Sequence, residues 1–151
     1  ITIAIANSQV REKLNAKLVQ DNIEIINVIA NNALQYDNII MGKGSIICGF
    51  VHLTSNIKIG KGFHANIYSY IAHDCVIGDF VTFAPRVSCN GNVHIEDHAY
   101  IGTGAMLRQG TPDKPLIIGK GAIVGMGAVV TKDVPAGVTV VGNPAKPLIK
   151  N

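Results

Sequence analysis

The stretch that decides the fold is residues 59–82, IGKGFH-ANIYSY-IAHDCV-IGDFVT, in which an apolar residue returns at every sixth position. The same phase continues on both sides of this stretch. The residues in phase are all apolar: Met41, Ile47, Leu53, Ile59, Ala65, Ile71, Ile77, Phe83, Cys89, Ile95, Ile101 and Leu107. The place four residues after each of them is mostly small or branched, so the repeat of this segment is six residues long.

A period of six is found neither in a helix, whose period is 3.6, nor in an ordinary sheet strand, whose period is 2.0. It predicts a β-solenoid with three flat sides, in which three hexads form one coil of 18 residues. Glycines gather at the second and fourth places of hexads, as at Gly60 and Gly62. We expect them at corners, where the backbone needs unusual angles.

The segments around the hexads have different patterns. Residues 1–30 predict a strand, a helix with Ser8 as its cap, and a strand over Ile23–Ile29. We expect this β-α-β unit to be the C-terminal part of an α/β domain, residues 31–40 to be a linker, and 41–151 to be the solenoid. Between Arg108 and Ile117 the period breaks, which predicts a protruding loop that is either a tolerated insertion or a lid over a site.

Composition narrows the class of protein. Hydrophobic residues make up 48% of the 151 and charged residues 15%, and no apolar run reaches the roughly 18 residues of a membrane helix, so we expect a soluble globular protein. The net charge of +3 comes from scattered residues, which argues against nucleic acid as a partner. Three cysteines without a C-x-x-C pair favour free thiols in the cytoplasm. Because the chain starts at Ile1 without Met, we expect a longer parent protein.

The hexads, followed by residues 130–135 (VTKDVP) and 142–146 (GNPAK), resemble the left-handed β-helix acyltransferases that use acetyl-CoA. Residues 72–78 (AHDCVIG), 91–93 (GNV) and the front unit are similar to the bacterial nucleotide 4-amino-sugar N-acetyltransferases and sialic acid O-acetyltransferases. The resemblance implies a mainly β fold, a left-handed parallel β-helix preceded by a partial Rossmann-like β-α-β unit. It also implies acetyl-CoA as co-substrate, a nucleotide-sugar substrate, and a homotrimer with active sites between subunits.

The chemistry of acetyl transfer points to His73. Imidazole titrates near neutral pH and can take a proton from an attacking amine. The adjacent Asp74 would orient the ring, as the resemblance also implies. Gly91 follows His73 by 18 residues, one coil, so we expect the two on neighbouring rungs about 4.8 Å apart, with the Gly91 amide facing the thioester carbonyl.

The resemblance implies further site residues. Asn66 matches a position that reaches the sugar, although a corner asparagine bonded to its own backbone is equally compatible. Thr82 stands where some relatives carry a histidine that contacts acetyl-CoA. Thr103 and Met126 match positions that line the coenzyme, and ordinary coil residues are the alternative. We expect no metal, and no G-x-G-x-x-G or P-loop indicates NAD or ATP.

Other functions remain open from the sequence. Sialic acid O-acetylation would use the same base. A γ-type carbonic anhydrase is a zinc enzyme on the same solenoid, but its paired ligands have the spacing H-x-x-x-x-H, whereas His94 and His98 are separated by three residues. We assign no chemistry to His52, His64, His94 or His98 and expect packing roles. A scaffold or ice-binding rod would need a regular ladder of threonines, which the sequence lacks.

Overall fold

The computed structural model describes residues 1–149. Over this range the chain forms one helix and a three-sided β-solenoid whose strands are two or three residues long. Each side of the solenoid is a parallel sheet in which consecutive members come from successive coils. A mainly β fold built on hexads is thus confirmed.

The three sheets are named A, B and C. Sheet A contains β1 (Val28–Ile29), β4 (Ile46–Ile47), β7 (His64–Ala65), β10 (Thr82–Phe83), β13 (Tyr100–Ile101), β16 (Ile123–Val124), β18 (Thr139–Val141) and β19 (Lys146–Pro147), the last pair antiparallel. Sheet B contains β2 (Leu34–Gln35), β5 (His52–Leu53), β8 (Tyr70–Ile71), β11 (Ser88–Cys89), β14 (Met106–Leu107) and β17 (Val129–Val130). Sheet C contains β3 (Ile39–Met41), β6 (Ile57–Ile59), β9 (Val76–Ile77), β12 (Val93–Ile95) and β15 (Leu116–Ile118).

The core of the solenoid is narrow and apolar. The in-phase residues from Ile47 to Leu107 are each at most 4% exposed, because each points inward from its strand. The sequence has no tryptophan, and the core contains an edge-to-face pair between Phe63 and Phe83, whose ring centroids lie 5.2 Å apart. Branched aliphatic side chains fill the remaining space.

The corners of the solenoid use other residues besides the glycines expected there. Several use a non-glycine residue with positive φ, including bulky ones such as Tyr68 (φ 61°) and Phe80 (φ 56°). This conformation costs a residue with a side chain about 1–2 kcal/mol, which the stacked coils offset. Gly62 does have positive φ (64°), but Gly42 is needed for another reason: a Cβ there would lie 2.6 Å from the Lys61 nitrogen of the next coil.

The solenoid starts earlier along the chain than the hexads indicate. Val28–Ile29 pairs with β4, and Leu34–Gln35 pairs with β5, so the first coil begins N-terminal to residue 41. The two segments predicted as strands around the helix lie side by side, with the Ile26 amide donating to the Ile1 carbonyl at 3.0 Å. Of them, only Val28–Ile29 is a strand in the described structure, and it belongs to sheet A.

The helix α1 (Ser8–Gln20) rests on sheet A through a buried arginine. Its cap is Asn7 rather than the predicted Ser8, because the Asn7 side chain accepts a hydrogen bond from the Val10 amide at 3.0 Å. Arg11 is 1% exposed and donates to the carbonyls of Ile5 and Phe80. Since burying an unpaired charge is costly, these bonds fix where the helix docks.

The predicted loop is present between β14 and β15. Val93 pairs with Leu116, which places the next strand of sheet C five residues later than a regular coil would. Thr111 and Lys114 exchange backbone hydrogen bonds at 3.0 and 3.1 Å and close the tip. The loop leaves the solenoid at the corner between sheets B and C.

Candidate functional site

The corner between sheets B and C carries the predicted catalytic residues. His73 and Asp74 lie between β8 and β9, and Gly91 lies between β11 and β12, one coil further along. The Asn92 amide donates to the His73 carbonyl at 3.0 Å, and the Asp74 amide donates to the Ser55 carbonyl at 3.0 Å. The hydrogen bonds between coils therefore fix the position of each of these residues along the solenoid axis. We call the stacked residues His73, Asp74 and Gly91 the catalytic column.

His73 and Asp74 form a close, half-exposed pair. The ring Nδ1 is 2.7 Å from the Asp74 Oδ2, and the two side chains are 48% and 45% exposed. The pKa of Asp74 is lowered from its usual value, chiefly by the hydrogen bond from His73 and then by one from Asn56. Because an ionised carboxylate only accepts, the neutral ring carries its proton on Nδ1 and presents a lone pair on Nε2.

The imidazole lies directly against Gly91. A Cβ at position 91 would be 2.5 Å from the ring Cε1 and 2.6 Å from Nε2, so no side chain fits between them. No backbone acceptor in the described chain takes the Gly91 amide proton. The arrangement places a free amide donor next to a potential base.

A basic cleft of about 400 Å³ opens further up the same corner. Gly91 lies one coil beyond His73, and the Gly110 amide donates to the Gly91 carbonyl from the following coil. Arg108 lies in that same coil as Gly110, and its amide donates to the Val130 carbonyl of the next coil. The cleft therefore begins two coils beyond His73. At the strand spacing of a sheet, that is roughly 10 Å. Its lining residues are Arg108, Lys114, Thr131, Lys132 and Asp133. Three cations in one cleft suit an anionic ligand.

Three of the other predicted residues lie at a different corner, between sheets A and B. Asn66 is half-buried there, and its amide donates to the Phe83 carbonyl of the next coil at 2.8 Å. Thr103 and Met126 are exposed on adjacent coils, with the Gly127 amide bonded to the Thr103 carbonyl at 2.8 Å. Sheet B separates these residues from His73, so one chain by itself does not bring the two sets together.

Thr82 is placed with neither set. It is 6% exposed on sheet A, and its hydroxyl accepts a hydrogen bond from Arg11 at 2.8 Å. The N-terminal segment therefore covers the side chain that the sequence suggests for the coenzyme. Sequence spacing could not reveal this, because the cover comes from a part of the chain about seventy residues away.

Two of the remaining histidines hold the N-terminal segment in place. His64 Nε2 is 3.0 Å from the Ile3 carbonyl, and burial lowers its pKa to about 4. His98 stacks on Phe80 with centroids 5.5 Å apart and lies 3.4 Å from Glu12.

Among residues 1–149, no group of three His, Cys, Asp or Glu side chains is arranged to hold a metal ion. Within that range, too, the one helix is neither long nor apolar enough for a bilayer.

Sequence reasoning missed the polar residues that surround the catalytic column. The side-chain amide of Asn56, which lies one coil before Asp74, donates to Asp74 Oδ1 at 3.2 Å. Asn90, just before Gly91, accepts from the Tyr70 hydroxyl at 2.6 Å and donates to the Leu107 carbonyl at 2.7 Å. The 18-residue spacing that links His73 to Gly91 would also have identified Asn56.

Comparisons with known proteins agree with this architecture. No protein-family model matches the chain. The chain is 56% identical over 144 residues to a GDP-perosamine N-acetyltransferase from Escherichia coli, covering 95% of the chain and 65% of that protein. It thus spans slightly less than two thirds of this relative's length.

Solved structures are similar as well. WeeI from Acinetobacter baumannii is 71% identical with a TM-score of 0.96, covering 97% of this chain and 69% of that one. PerB from Caulobacter crescentus, solved with CoA and GDP-perosamine, is 28% identical with a TM-score of 0.92, covering 97% and 69%. With the hexads, the three parallel sheets and this degree of identity, the chain belongs to the left-handed β-helix acetyltransferase family.

Proposed function

We propose that this protein is an acetyl-CoA-dependent N-acetyltransferase that acts on a nucleotide-linked 4-amino-6-deoxy sugar in bacterial glycan biosynthesis. The observation that carries the proposal is the His73 ring, paired with Asp74 at 2.7 Å and packed on Gly91. A 56% identical relative named for the N-acetylation of GDP-perosamine supports the substrate class. We place the reaction in the cytoplasm, where the free thiols of Cys48, Cys75 and Cys89 would stay reduced.

The chemistry assigns one task to each residue. His73 Nε2 takes a proton from the sugar amine as its nitrogen attacks the thioester carbonyl. Asp74 keeps the Nδ1–H tautomer and stabilises the imidazolium that results. The Gly91 amide donates to the oxyanion of the tetrahedral intermediate. When the tetrahedral intermediate collapses, the new C–N bond is kept and the C–S bond breaks. The imidazolium then gives its proton to the departing thiolate of CoA.

The position of the basic cleft relative to His73 suggests how CoA is oriented in the site. We assign Arg108, Lys114 and Lys132 to the phosphates of CoA, with the thioester extending down the corner toward His73. The cleft begins roughly 10 Å from the base, which an extended pantetheine arm can cover. The loop between Arg108 and Ile117 supplies Lys114, so it contributes to this binding site whether or not it also closes as a lid.

Assembly as a homotrimer would complete the site. Asn66, Thr103 and Met126 lie at the corner between sheets A and B, and His73 and Asp74 lie at the corner between sheets B and C. We call these corners the A–B edge and the B–C edge of the three-sided solenoid, which has the shape of a prism. In a ring of three, the A–B edge of one protomer can meet the B–C edge of the next, since the contact is heterologous and closes. Exposed apolar residues favour the A–B edge as a contact surface: Phe50, Ile67, Tyr68 and Met126.

The first test is release of free thiol from acetyl-CoA with a panel of GDP-, UDP- and dTDP-linked amino sugars and free sialic acid. We expect turnover with a nucleotide-linked amino sugar and a loss on the order of 10² to 10⁴ in His73→Ala, the usual contribution of a placed base. His94→Ala is the matched control, because His94 lies on sheet C outside the catalytic column. Equal turnover by His73→Ala and the parent protein would remove the assignment, and turnover of sialic acid alone would show O-acetylation instead.

A further inference from the structure

A ladder of side-chain amides runs up the B–C corner and ends on the Asp74 carboxylate. Asn38, Asn56 and Asp74 are spaced by 18 residues and all have positive φ, between 54° and 59°. Asn38 Nδ2 donates to Asn56 Oδ1 at 3.0 Å, and Asn56 Nδ2 donates to Asp74 Oδ1 at 3.2 Å. The side chains thus repeat, outside the core, the stacking that the backbone makes inside the sheets.

The charge on Asp74 sets the direction of this ladder. An ionised carboxylate accepts hydrogen bonds and donates none, so Asn56 must turn its NH₂ group toward it. The Asn56 carbonyl oxygen then faces the other way and accepts from Asn38. Because aligned amides polarise one another, the lower rung strengthens the bond that reaches Asp74.

The ladder leaves the Asp74 carboxylate fixed from two sides. His73 Nδ1 is bonded to Oδ2 and Asn56 Nδ2 is bonded to Oδ1, so the carboxylate cannot rotate without losing one of these hydrogen bonds. We propose that Asn56 is a positioning residue for the His73–Asp74 pair, holding the carboxylate, and through it the imidazole, in register with Gly91. This inference rests on the proposed function for its kinetic consequence, but its effect on the ring can be measured without any substrate.

Other ionisable groups near the column are few in the described structure. Below the ladder, Asp37 accepts a backbone hydrogen bond from the Asn56 amide through its carbonyl. The Cys75 sulfur faces inward, 3.6 Å from the His73 carbonyl. The Tyr70 hydroxyl reaches Asn90 on the next coil, and burial raises the pKa of Tyr70, so that group stays neutral. Within 4.0 Å of the Asp74 carboxylate, His73 is the one basic side chain in the described chain.

The test is Asn56→Asp, which keeps the shape of the side chain and replaces its donor by a second carboxylate. The added charge lies about one coil from the imidazolium, and at that distance in water it should raise the pKa of His73 by about half a unit. An NMR titration of the His73 ring protons measures this shift, with the resonance identified by its loss in His73→Asn. The shift should shrink at high salt, since exposed charges are screened.

Two further variants separate positioning from folding. Asn22→Asp is the matched control, because Asn22 also has positive φ (55°) but lies after the helix, away from this corner. It should leave the His73 pKa unchanged. Asn56→Gly removes the amide without straining the backbone, and we expect kcat to fall about tenfold with an unchanged KM for acetyl-CoA.

The outcomes are distinguishable from failure of the proposed function. A His73 pKa in Asn56→Asp equal to that of the parent protein, or an equal shift in Asn22→Asp, overturns the inference. So does an Asn56→Gly enzyme with full kcat when His73→Ala is inactive, and in that case the proposed function survives. A shifted pKa in a protein that acetylates no amino sugar would support the ladder and contradict the reaction.

Discussion

The contact between the His73 imidazole and Gly91 leaves no room for a side chain at position 91. We expect Gly91→Ala to push the ring off its position, because the new methyl would sit 2.5 Å from Cε1. The rate should fall by about 10² to 10³, comparable to the loss of an oxyanion donor, while the melting temperature stays nearly unchanged. Steady-state kinetics and a thermal melt check this.

The control for that substitution is Gly49→Ala, whose methyl would meet the flexible side chain of Asn32 at 2.8 Å. Its kcat/KM should match that of the parent protein. If both alanine variants lose the same activity, the effect is a general one of glycine replacement, and the contact with His73 has no special role.

At the residue scale, the sequence predicted what depends on the repeat. The placement of Gly91 one coil beyond His73 follows from a spacing of 18 residues, and the ring is found against it. The burial of Thr82 depends on Arg11 arriving from the helix, a contact that no periodicity encodes. The ladder through Asn56 was encoded in the spacing but is recognised only once the side chains are seen to touch.

At the scale of elements, the N-terminal segment is held on sheet A by polar groups as well as by packing. Arg11 bonds to carbonyls on both sides of the contact, and His64 reaches the Ile3 carbonyl. In helix α1 the buried residue is Arg11, whereas Leu14 and Leu18 are half-buried and Val10 is exposed. The sequence therefore predicted the helix itself, but not the buried arginine through which it docks.

This docking should depend on pH through His64. Burial, and next the Arg11 charge, lower the pKa of His64 to about 4, below its usual 6.5. The unfolded chain therefore binds more protons between these values, so the stabilisation is complete above pH 6.5 and is lost as pH falls toward 4. We expect a loss of about 1–2 kcal/mol between pH 7 and pH 5, allowing for the partial exposure of the ring.

Urea unfolding at both pH values, for the parent protein and His64→Gln, measures this loss. Glutamine keeps an amide donor for the Ile3 carbonyl and cannot titrate, so its stability should change less over the same interval. An identical pH dependence in the two proteins would mean that His64 stays neutral, or charged, in both the folded and unfolded chains.

At the scale of the whole molecule, sheet B divides the functional residues between two edges of one prism. His73, Asp74 and Gly91 occupy the B–C edge, and Thr103 and Met126 occupy the A–B edge. A rigid solenoid cannot fold these edges together, since its coils are fixed by the parallel ladders. If both sets serve one reaction, the second must come from another protomer.

Subunit mixing tests this arrangement directly. His73→Asn removes the base, and Thr103→Trp fills the opposite edge at an exposed position, so each homotrimer alone should be inactive. In mixed trimers from equal amounts, a site between subunits is intact whenever a Thr103→Trp protomer supplies His73 to a His73→Asn neighbour. Random assembly then restores about one quarter of the parent activity after denaturation and refolding together. If each site lay within a single chain, every site would carry one lesion and the mixture would stay inactive, and size-exclusion chromatography of the refolded mixture would show whether trimers had formed.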